Sequence, residues 1–485
     1  MSAPRLLNYE STPLPARLFD DLQAGTILSP AAIGVLRHPC GRNEILRRQE
    51  LFAAMTREDC RARITASLDL LKACRRTLEL WREANDRLER QALFLRLLAC
   101  YPDACESIGA LSGFGSLCDE TAAYFASPEK RQLYDEMRAD RNRAAALSAP
   151  MRKFLLSVSD KYWLTPDAAV RDEFDEIAAR ASGLGFAIPE KKAIAARADR
   201  SLSDGVCRLF AAQVSGLDAI AAKYAEIDWN EPVGYIGELE FFLEIHALCK
   251  RAEACGIPHC FPTPVEKRRY IARDVCDITL ISRKSSGIVP NDVHFTEEEP
   301  FFFLTGANGG GKTTYLRAVG INLALFLAGC PIFATQAAIY PFGTLLSHFP
   351  ADEGFADVGR LDDERRRADE MLASAGECAF LLFNETYSGT DDKRGFTLMM
   401  ETADAVRQVG HFCLYVTHFH PAADSGYPIL TALVDAADGN RRTWRIARKN
   451  GRTSSFAADI LRKYKLDRES LMERRCGHGD QSSLS

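Results

Sequence analysis

The sequence predicts a helical first part followed by a three-layer α/β domain. Three observations predict it. Before about residue 265 the chain is rich in Ala, Leu, Arg and Glu, with apolar residues three and four apart. After that point, short apolar runs alternate with helical stretches, and one of those runs leads directly into a Gly-rich loop. The 485 residues suffice for two or three domains, each burying its own core. The expected division is an N-terminal segment 1–37, a helical region 38–265, an α/β domain 266–466 and a polar tail 467–485.

In the helical part, Leu71, Cys74, Leu78, Trp81, Leu88, Ala92 and Leu95 form a stripe interrupted by Asn85, which predicts one long helix packed along others. Ser203 to about Ile227 and Gly237 to Glu253 predict two more, and breaks fall at Ser148–Pro150 and Gly183–Pro189. Farther on, Asp277–Ser282, Asp292–Phe295 and Pro300–Leu304 read as strands. Cys378–Phe383 and His411–Val416 are apolar throughout, as strands buried on both faces are. Thr431–Ala436 and Arg442–Arg448 flank Asp438-Gly439-Asn440 as a hairpin, and Ser454 and Ser455 cap a last helix reaching about Tyr464.

Composition narrows the function classes. Hydrophobic residues make up 47% and charged residues 26%, and the net charge is −5, so contact with nucleic acid requires a local basic face. The N-terminus has no signal-like pattern, and the longest apolar run, Ala318–Ala334, is interrupted by Gly320, Asn322 and Gly329. A buried helix and a cytoplasmic protein are expected. Fifteen scattered cysteines then read as reduced thiols, and Cys249, Cys255, His259 and Cys260 lack zinc-ligand spacing.

The chemistry concentrates after residue 300. Gly306-Ala307-Asn308-Gly309-Gly310-Gly311-Lys312-Thr313 fits G-x-x-x-x-G-K-[ST] in full. Glycines let backbone N–H groups turn in around a phosphate, and the helix that follows adds its positive end. In that pattern Lys312 reaches the β- and γ-phosphates of ATP and the Thr313 hydroxyl ligates Mg²⁺. A second candidate is Asn384-Glu385, where an apolar strand ends. Glu385 suits the orienting of an attacking water, whereas Asn384 stands where a Mg²⁺-holding Asp is expected and supplies only an uncharged oxygen. His418 also follows an apolar strand, at an edge that points toward a nucleotide crevice, and His420 has no assigned role.

These residues resemble the MutS-type mismatch-repair ATPases. The resemblance rests on Thr305 through Thr314 with Leu316-Arg317, on Val289-Pro290-Asn291-Asp292, and on Asn384-Glu385 with Ser388-Gly389-Thr390 and Gly395. Thr417-His418-Phe419 and the stretch Glu44–Leu51 extend it. It implies a helical core and lever domain, with a reduced or absent clamp, followed by an ABC-like P-loop ATPase domain. It also implies ATP and Mg²⁺ as ligands, a homodimer, DNA as a sequence-nonspecific partner, and no membrane. Gly306 through Thr314 would cradle the nucleotide, Lys312, Glu385 and His418 would act in catalysis, and Thr313, Asn384 and Glu385 would hold the metal. A neighbouring subunit would complete the site through Val358–Glu364, where Glu364 matches, although Gly359-Arg360-Leu361, or Leu361-Asp362-Asp363 in a shifted register, replaces the expected Ser-Thr-Phe and Arg394 the expected Asp.

Fewer than about forty residues precede the core, too few for a mismatch-reading domain. The expectation is therefore a DNA clamp without mismatch recognition, the alternative being a nucleotide-gated scaffold with little DNA affinity. The basic stretches Arg138, Arg141, Arg143 and Lys191, Lys192, Arg197, Arg200 are the candidate DNA contacts.

Overall fold

The computed structural model describes residues 3–9, 11–152, 154–158, 162–166, 200–283, 287–350, 360–387, 392–435 and 441–448. The breaks at 183–189 and 438–440, the last helix with Ser454 and Ser455, and the polar tail lie outside them. The chain forms two compact units, one of Met1–Leu6 with Thr56–Glu240 and one of Leu7–Met55 with Phe241–Ser485.

This division differs from the compositional one, because Leu7–Met55 belongs with the Gly-rich loop rather than with the helices that follow it. Its helices are α1 (Ala16–Asp21), α2 (Pro30–Leu36) and α3 (Arg42–Ala54). Arg48 of α3 is fully buried and donates from Nη1 to the Ala328 carbonyl at 3.1 Å and from Nε to Glu44 at 3.0 Å. The Cys40 N–H donates to the Leu327 carbonyl at 2.6 Å. A helical composition says nothing about which domain a helix packs on.

The larger unit continues with α4 (Ile236–Ala254), β1 (Thr263–Pro264), β2 (Arg269–Val275), β3 (Asn291–Thr296), β4 (Phe301–Gly306), α5 (Lys312–Leu327), β5 (Gln336–Ile339) and β6 (Thr344–His348). It ends with α6 (Arg360–Ala373), β7 (Ala379–Asn384), α7 (Asp392–Val409), β8 (Phe412–Val416), β9 (Ile429–Val434) and β10 (Arg442–Arg448). Six strands form one sheet in the order β10-β9-β4-β8-β7-β6, parallel except for the edge strand β10. The others form a second, mixed sheet in the order β1-β5-β2-β3.

Alternation along the central strands explains the layers. Phe301, Phe303, Phe383 and Tyr415 face a core completed by Met399 and Val406 of α7 and Ala368 of α6. Phe302 and Phe380 face the other way, against Phe295 of β3 at 5.1 Å between ring centroids in each case. There α5 also packs so closely that a Cβ on Gly320 would lie 2.6 Å from both Leu22 and Leu382. With both faces covered, all five residues of β8 and all six of β7 are buried.

Three sequence expectations change. Asp277–Ser282 is not a strand but a 3₁₀ turn at Ile278–Ser282, because the Asp277 carboxylate accepts from both the N–H (3.0 Å) and the hydroxyl (2.6 Å) of Thr279. The stripe from Leu71 to Leu95 belongs to two helices, Glu58–Glu83 and Arg87–Gly109. Ala84 leaves the helical region at φ −64°, ψ 120°, and Asp86 caps the second helix by accepting from the Glu89 N–H. Likewise Ser203–Ile227 holds two helices, Arg200–Leu209 and Ala211–Lys223, bent by 97° at Phe210.

The smaller unit also contains helices Ser116–Phe125 and Pro128–Ser148 and an antiparallel pair, Phe154–Val158 with Tyr162–Pro166. Glu231 anchors its interior by accepting from Tyr101 at 3.1 Å, from Tyr124 at 2.5 Å and from Lys130 at 2.5 Å. No single described helix is long and apolar enough to cross a membrane.

Candidate functional site

Strand register brings the predicted residues together. Leu304 of β4 lies level with Val416 of β8, which lies level with Asn384 of β7. The segments leaving these three strands, at Thr305-Gly306, Thr417-His418 and Glu385, therefore emerge side by side at one sheet edge. The arrangement is tightened by the Thr417 N–H donating to the Leu304 carbonyl at 3.0 Å and the Glu385 N–H donating to the Val416 carbonyl at 2.9 Å.

The Gly-rich loop needs its glycines at the two ends. Gly306 has φ +119°, and a Cβ there would come within 3.0 Å of the Ala432 backbone on β9. Gly311, at φ +92°, is the left-handed residue from which α5 starts. Between them the Gly310 N–H donates to the Ala307 carbonyl at 3.0 Å. At the start of α5 the Tyr315 N–H donates back to the Gly311 carbonyl at 2.8 Å, so the N–H groups of Lys312 to Thr314 are those that the helix cannot satisfy internally, and these carry its positive end.

Lys312 is the cation of this loop. Its side chain is 4% exposed, and Nζ donates to the Gly306 carbonyl at 2.9 Å, Asn308 Oδ1 at 3.3 Å and the Ala307 carbonyl at 3.5 Å. Glu385 Oε1 is 3.9 Å away. Burial pulls the ammonium below the usual lysine range, Glu385 opposes this, and Arg442 adds to it. A desolvated cation held mainly by carbonyl dipoles is matched to an incoming phosphate.

Thr313 donates its hydroxyl to Asn384 Oδ1 at 3.2 Å, which joins the first turn of α5 to the end of β7. The acceptor oxygen of the Asn384 amide therefore faces Thr313, as a metal-holding pair requires. The Thr313 hydroxyl and the Asn384 amide oxygen, with the Glu385 carboxylate next in the chain, are oxygen donors of the kind Mg²⁺ takes. Glu385 itself sits at φ +51°, a conformation that takes it out of the pleat of β7. His418 is half-buried against Phe419, with ring centroids 4.5 Å apart.

The sequence placed β10 as the second strand of a hairpin, as found, but gave no role to its Trp444. Trp444, at φ +55° and 48% exposed, lies over Gly311, where a Cβ would meet its ring at 3.5 Å. Asn291 pins it there by donating to the Trp444 carbonyl at 3.0 Å and accepting from the Ile446 N–H at 2.7 Å. Trp444, Gly311, Thr314, Tyr315 and Val289 line a cavity of ≈ 120 Å³ beside the loop. Val289-Pro290-Asn291-Asp292 was the available signal, since its Asn is the residue that positions the strand.

Two other expectations are sharpened. Glu364, read as part of a segment reaching a neighbouring subunit, is buried and accepts from the Tyr387 N–H of its own chain at 2.7 Å. Val358, Gly359 and Ser388-Gly389-Thr390 lie outside the described residues, and Arg394 is exposed, 3.4 Å from Asp362. Of the basic stretches, Arg138 is held by Glu106 at 2.6 Å and Asp103 at 3.3 Å, and Arg143 by Asp140. Lys191, Lys192, Arg197 and the Arg200 side chain lie outside the described residues.

Residues 302–430, from β4 into β9, match the family model described as MutS domain V. Over 150 residues the chain is 31% identical to the DNA mismatch repair protein msh-2 of Neurospora crassa, covering 30% of this chain and 15% of that protein. Over 152 residues it is 30% identical to the DNA mismatch repair protein MutS of Bacillus cereus, covering 31% of this chain and 16% of that one.

Proposed function

We propose that this chain, a MutS-family protein by its residues 302–430, binds ATP with Mg²⁺ at an ABC-like P-loop and hydrolyses it to ADP and phosphate. The observation that carries this reading is the Thr313–Asn384 hydrogen bond at 3.2 Å beside Lys312 and Glu385. It couples a phosphate-cradling loop to a carboxylate able to orient water. Bound Mg²⁺ would neutralise charge on the transferring phosphoryl group. Lys312 would bind the β- and γ-phosphates, Thr313 and Asn384 would hold the metal, and Glu385 would position the water, with His418 beside them. Trp444 offers a flat face to the nucleobase.

In this reading two copies close on ATP, each completing the other's site, and the nucleotide state opens and closes the helical units around DNA without reading mismatches. Lys312→Ala should abolish nucleotide binding, since removing the cation aimed at the phosphates costs several kcal/mol in such sites. Sedimentation should show a dimer tightened by ATP. A monomer at saturating ATP, or unchanged affinity in the variant, would overturn the reading.

A second reading has its own support: a nucleotide-gated scaffold with little DNA affinity. Arg138 and Arg143 are already paired with carboxylates, and Lys223 is paired with Glu136 and Asp140 at 2.9 and 3.0 Å. Cations neutralised in this way release few counterions from a duplex. The dependence of duplex and branched-DNA binding on salt separates the two readings, a steep slope favouring the clamp.

A further inference from the structure

Away from the Gly-rich loop, α1, the end of β6 and α6 enclose a second cavity, of ≈ 230 Å³, lined by Arg17, Leu18, Ser347, His348, Arg367 and Glu370 among others. Arg17 and Arg367 each donate from Nη2 to the same Phe349 carbonyl oxygen, at 3.3 and 2.8 Å. Two guanidiniums that share one carbonyl are close like charges, and among the described residues neither makes an ion pair. The carboxylates Asp21, Asp363 and Glu364 offset part of the Arg367 charge from a distance, but their direct contacts are with other groups. Asp363 and Glu370 are both held by Arg366 at 2.6 Å, Glu364 accepts from the Tyr387 N–H, and Asp21 accepts from Ser347 at 2.7 Å. Burial and Arg17 together push the Arg367 guanidinium below its usual range.

The third component is His348, 2% exposed. Its Nδ1 is paired with Thr386 Oγ1 at 3.0 Å, whereas its Nε2 is buried with no partner among the described residues. Burial and the two arginines hold this imidazole at about 4, so it is neutral near pH 7.

We propose that this cavity is an oxyanion site for inorganic phosphate, held by the Arg17 and Arg367 guanidiniums with His348 beneath. Phosphate oxygens match the planar donor forks of arginine and would give the pair the direct anionic partner that the nearby carboxylates, acting only at a distance, do not. By offsetting the two arginines, the anion also raises the proton affinity of His348. Thr386, which shares a hydrogen bond with His348, directly follows Glu385, so occupancy of the cavity reaches the end of β7 through one side-chain contact. The site does not depend on what the Gly-rich loop binds.

The test uses the full chain carrying Lys312→Ala, which removes the Gly-rich loop as a phosphate binder. Equilibrium dialysis with labelled orthophosphate should find one ion per chain. Adding Arg17→Ala or Arg367→Ala should weaken binding at least tenfold, and Arg367→Lys should weaken it less. As a readout independent of dialysis, the His348 imidazole resonance should titrate at higher pH in phosphate than in chloride. The proposal is overturned if the Lys312→Ala chain binds no phosphate, if both arginine variants bind it unchanged, or if the His348 midpoint is the same in both salts.

Discussion

Asn384→Asp tests whether one missing charge limits the proposed hydrolysis. Asn384 is 9% exposed, and its Oδ1 takes the Thr313 hydroxyl at 3.2 Å, so an aspartate fits the same volume and keeps the same acceptor. The substitution adds a negative charge beside the Thr313 hydroxyl and next in the chain to Glu385. A unit charge ~4 Å from a cation gains about 4 kcal/mol at an effective dielectric of ~20, and a divalent ion gains more. Against this stand several kcal/mol for desolvating the new carboxylate and repulsion from Glu385. Lys312 Nζ, 3.9 Å from Glu385 Oε1, offsets part of that repulsion. A surplus of about 1–3 kcal/mol remains, roughly 5- to 150-fold in Mg²⁺ affinity. The Mg²⁺ concentration that half-saturates binding of a fluorescent ADP analogue should fall by that factor, roughly 5- to 150-fold, and kcat, read by phosphate release, should rise. Unchanged Mg²⁺ dependence and unchanged kcat would refute the argument that charge at position 384 is limiting.

Glu385→Gln should reduce single-turnover hydrolysis by about 10²–10⁴-fold, the usual worth of a positioned base, with nucleotide affinity nearly unchanged. Trp444→Ala should weaken nucleotide binding by about 1–3 kcal/mol, the scale of base–aromatic stacking, and calorimetry that finds no change would remove Trp444 from the site. A pH effect follows from His348, whose imidazole is held at about 4 against 6.5 in an unfolded chain. Its contribution is whole above the unfolded value and is lost as pH falls toward the folded one, because the unfolded chain takes the proton first. Between pH 6.5 and 5 the loss is about 2 kcal/mol, and urea unfolding of His348→Gln should lack that part of the slope.

What could be read in the sequence was what a single local rule decides. β4, β7 and β8 are contiguous apolar runs because both of their faces are covered, and each run stops where polar residues leave the sheet, so Asn384-Glu385 and Thr417-His418 stood out. The Gly-rich loop was legible because Gly306 and Gly311 occupy backbone conformations that other residues rarely adopt. What escaped depends on competition or on distance in the chain. An apolar run such as Asp277–Ser282 satisfies a strand pattern until the Asp277 side chain captures the Thr279 N–H. Periodicity persists across Ala84-Asn85-Asp86 although the backbone does not. Trp444 on an edge strand has no pattern that marks it, because its place over Gly311 is set by Asn291, 153 positions earlier. The same holds for Arg48, whose burial under Ala328 assigns Leu7–Met55 to the larger unit.

The turn after β7 shows how these remote contacts bear on chemistry. Glu385 and Tyr387 both adopt positive φ, +51° and +68°, each costing on the order of 1–3 kcal/mol in a non-glycine residue. Three hydrogen bonds from three different elements hold the strained pair. The Glu385 N–H is fixed by Val416 of β8, Thr386 Oγ1 by His348 of β6, and the Tyr387 N–H by Glu364 of α6. At about 1 kcal/mol net each, these bonds are comparable with the strain rather than far above it. The Glu385 carboxylate is therefore positioned by a balance, and a change at β6 or α6 can shift it without touching the Gly-rich loop. Since Arg367 and Glu364 share α6, and His348 ends β6, the elements that line the proposed phosphate cavity supply two of the three supports. The Glu385 carboxylate is thus tied, through this strained turn, to β6 and α6, two of the elements that line the second cavity.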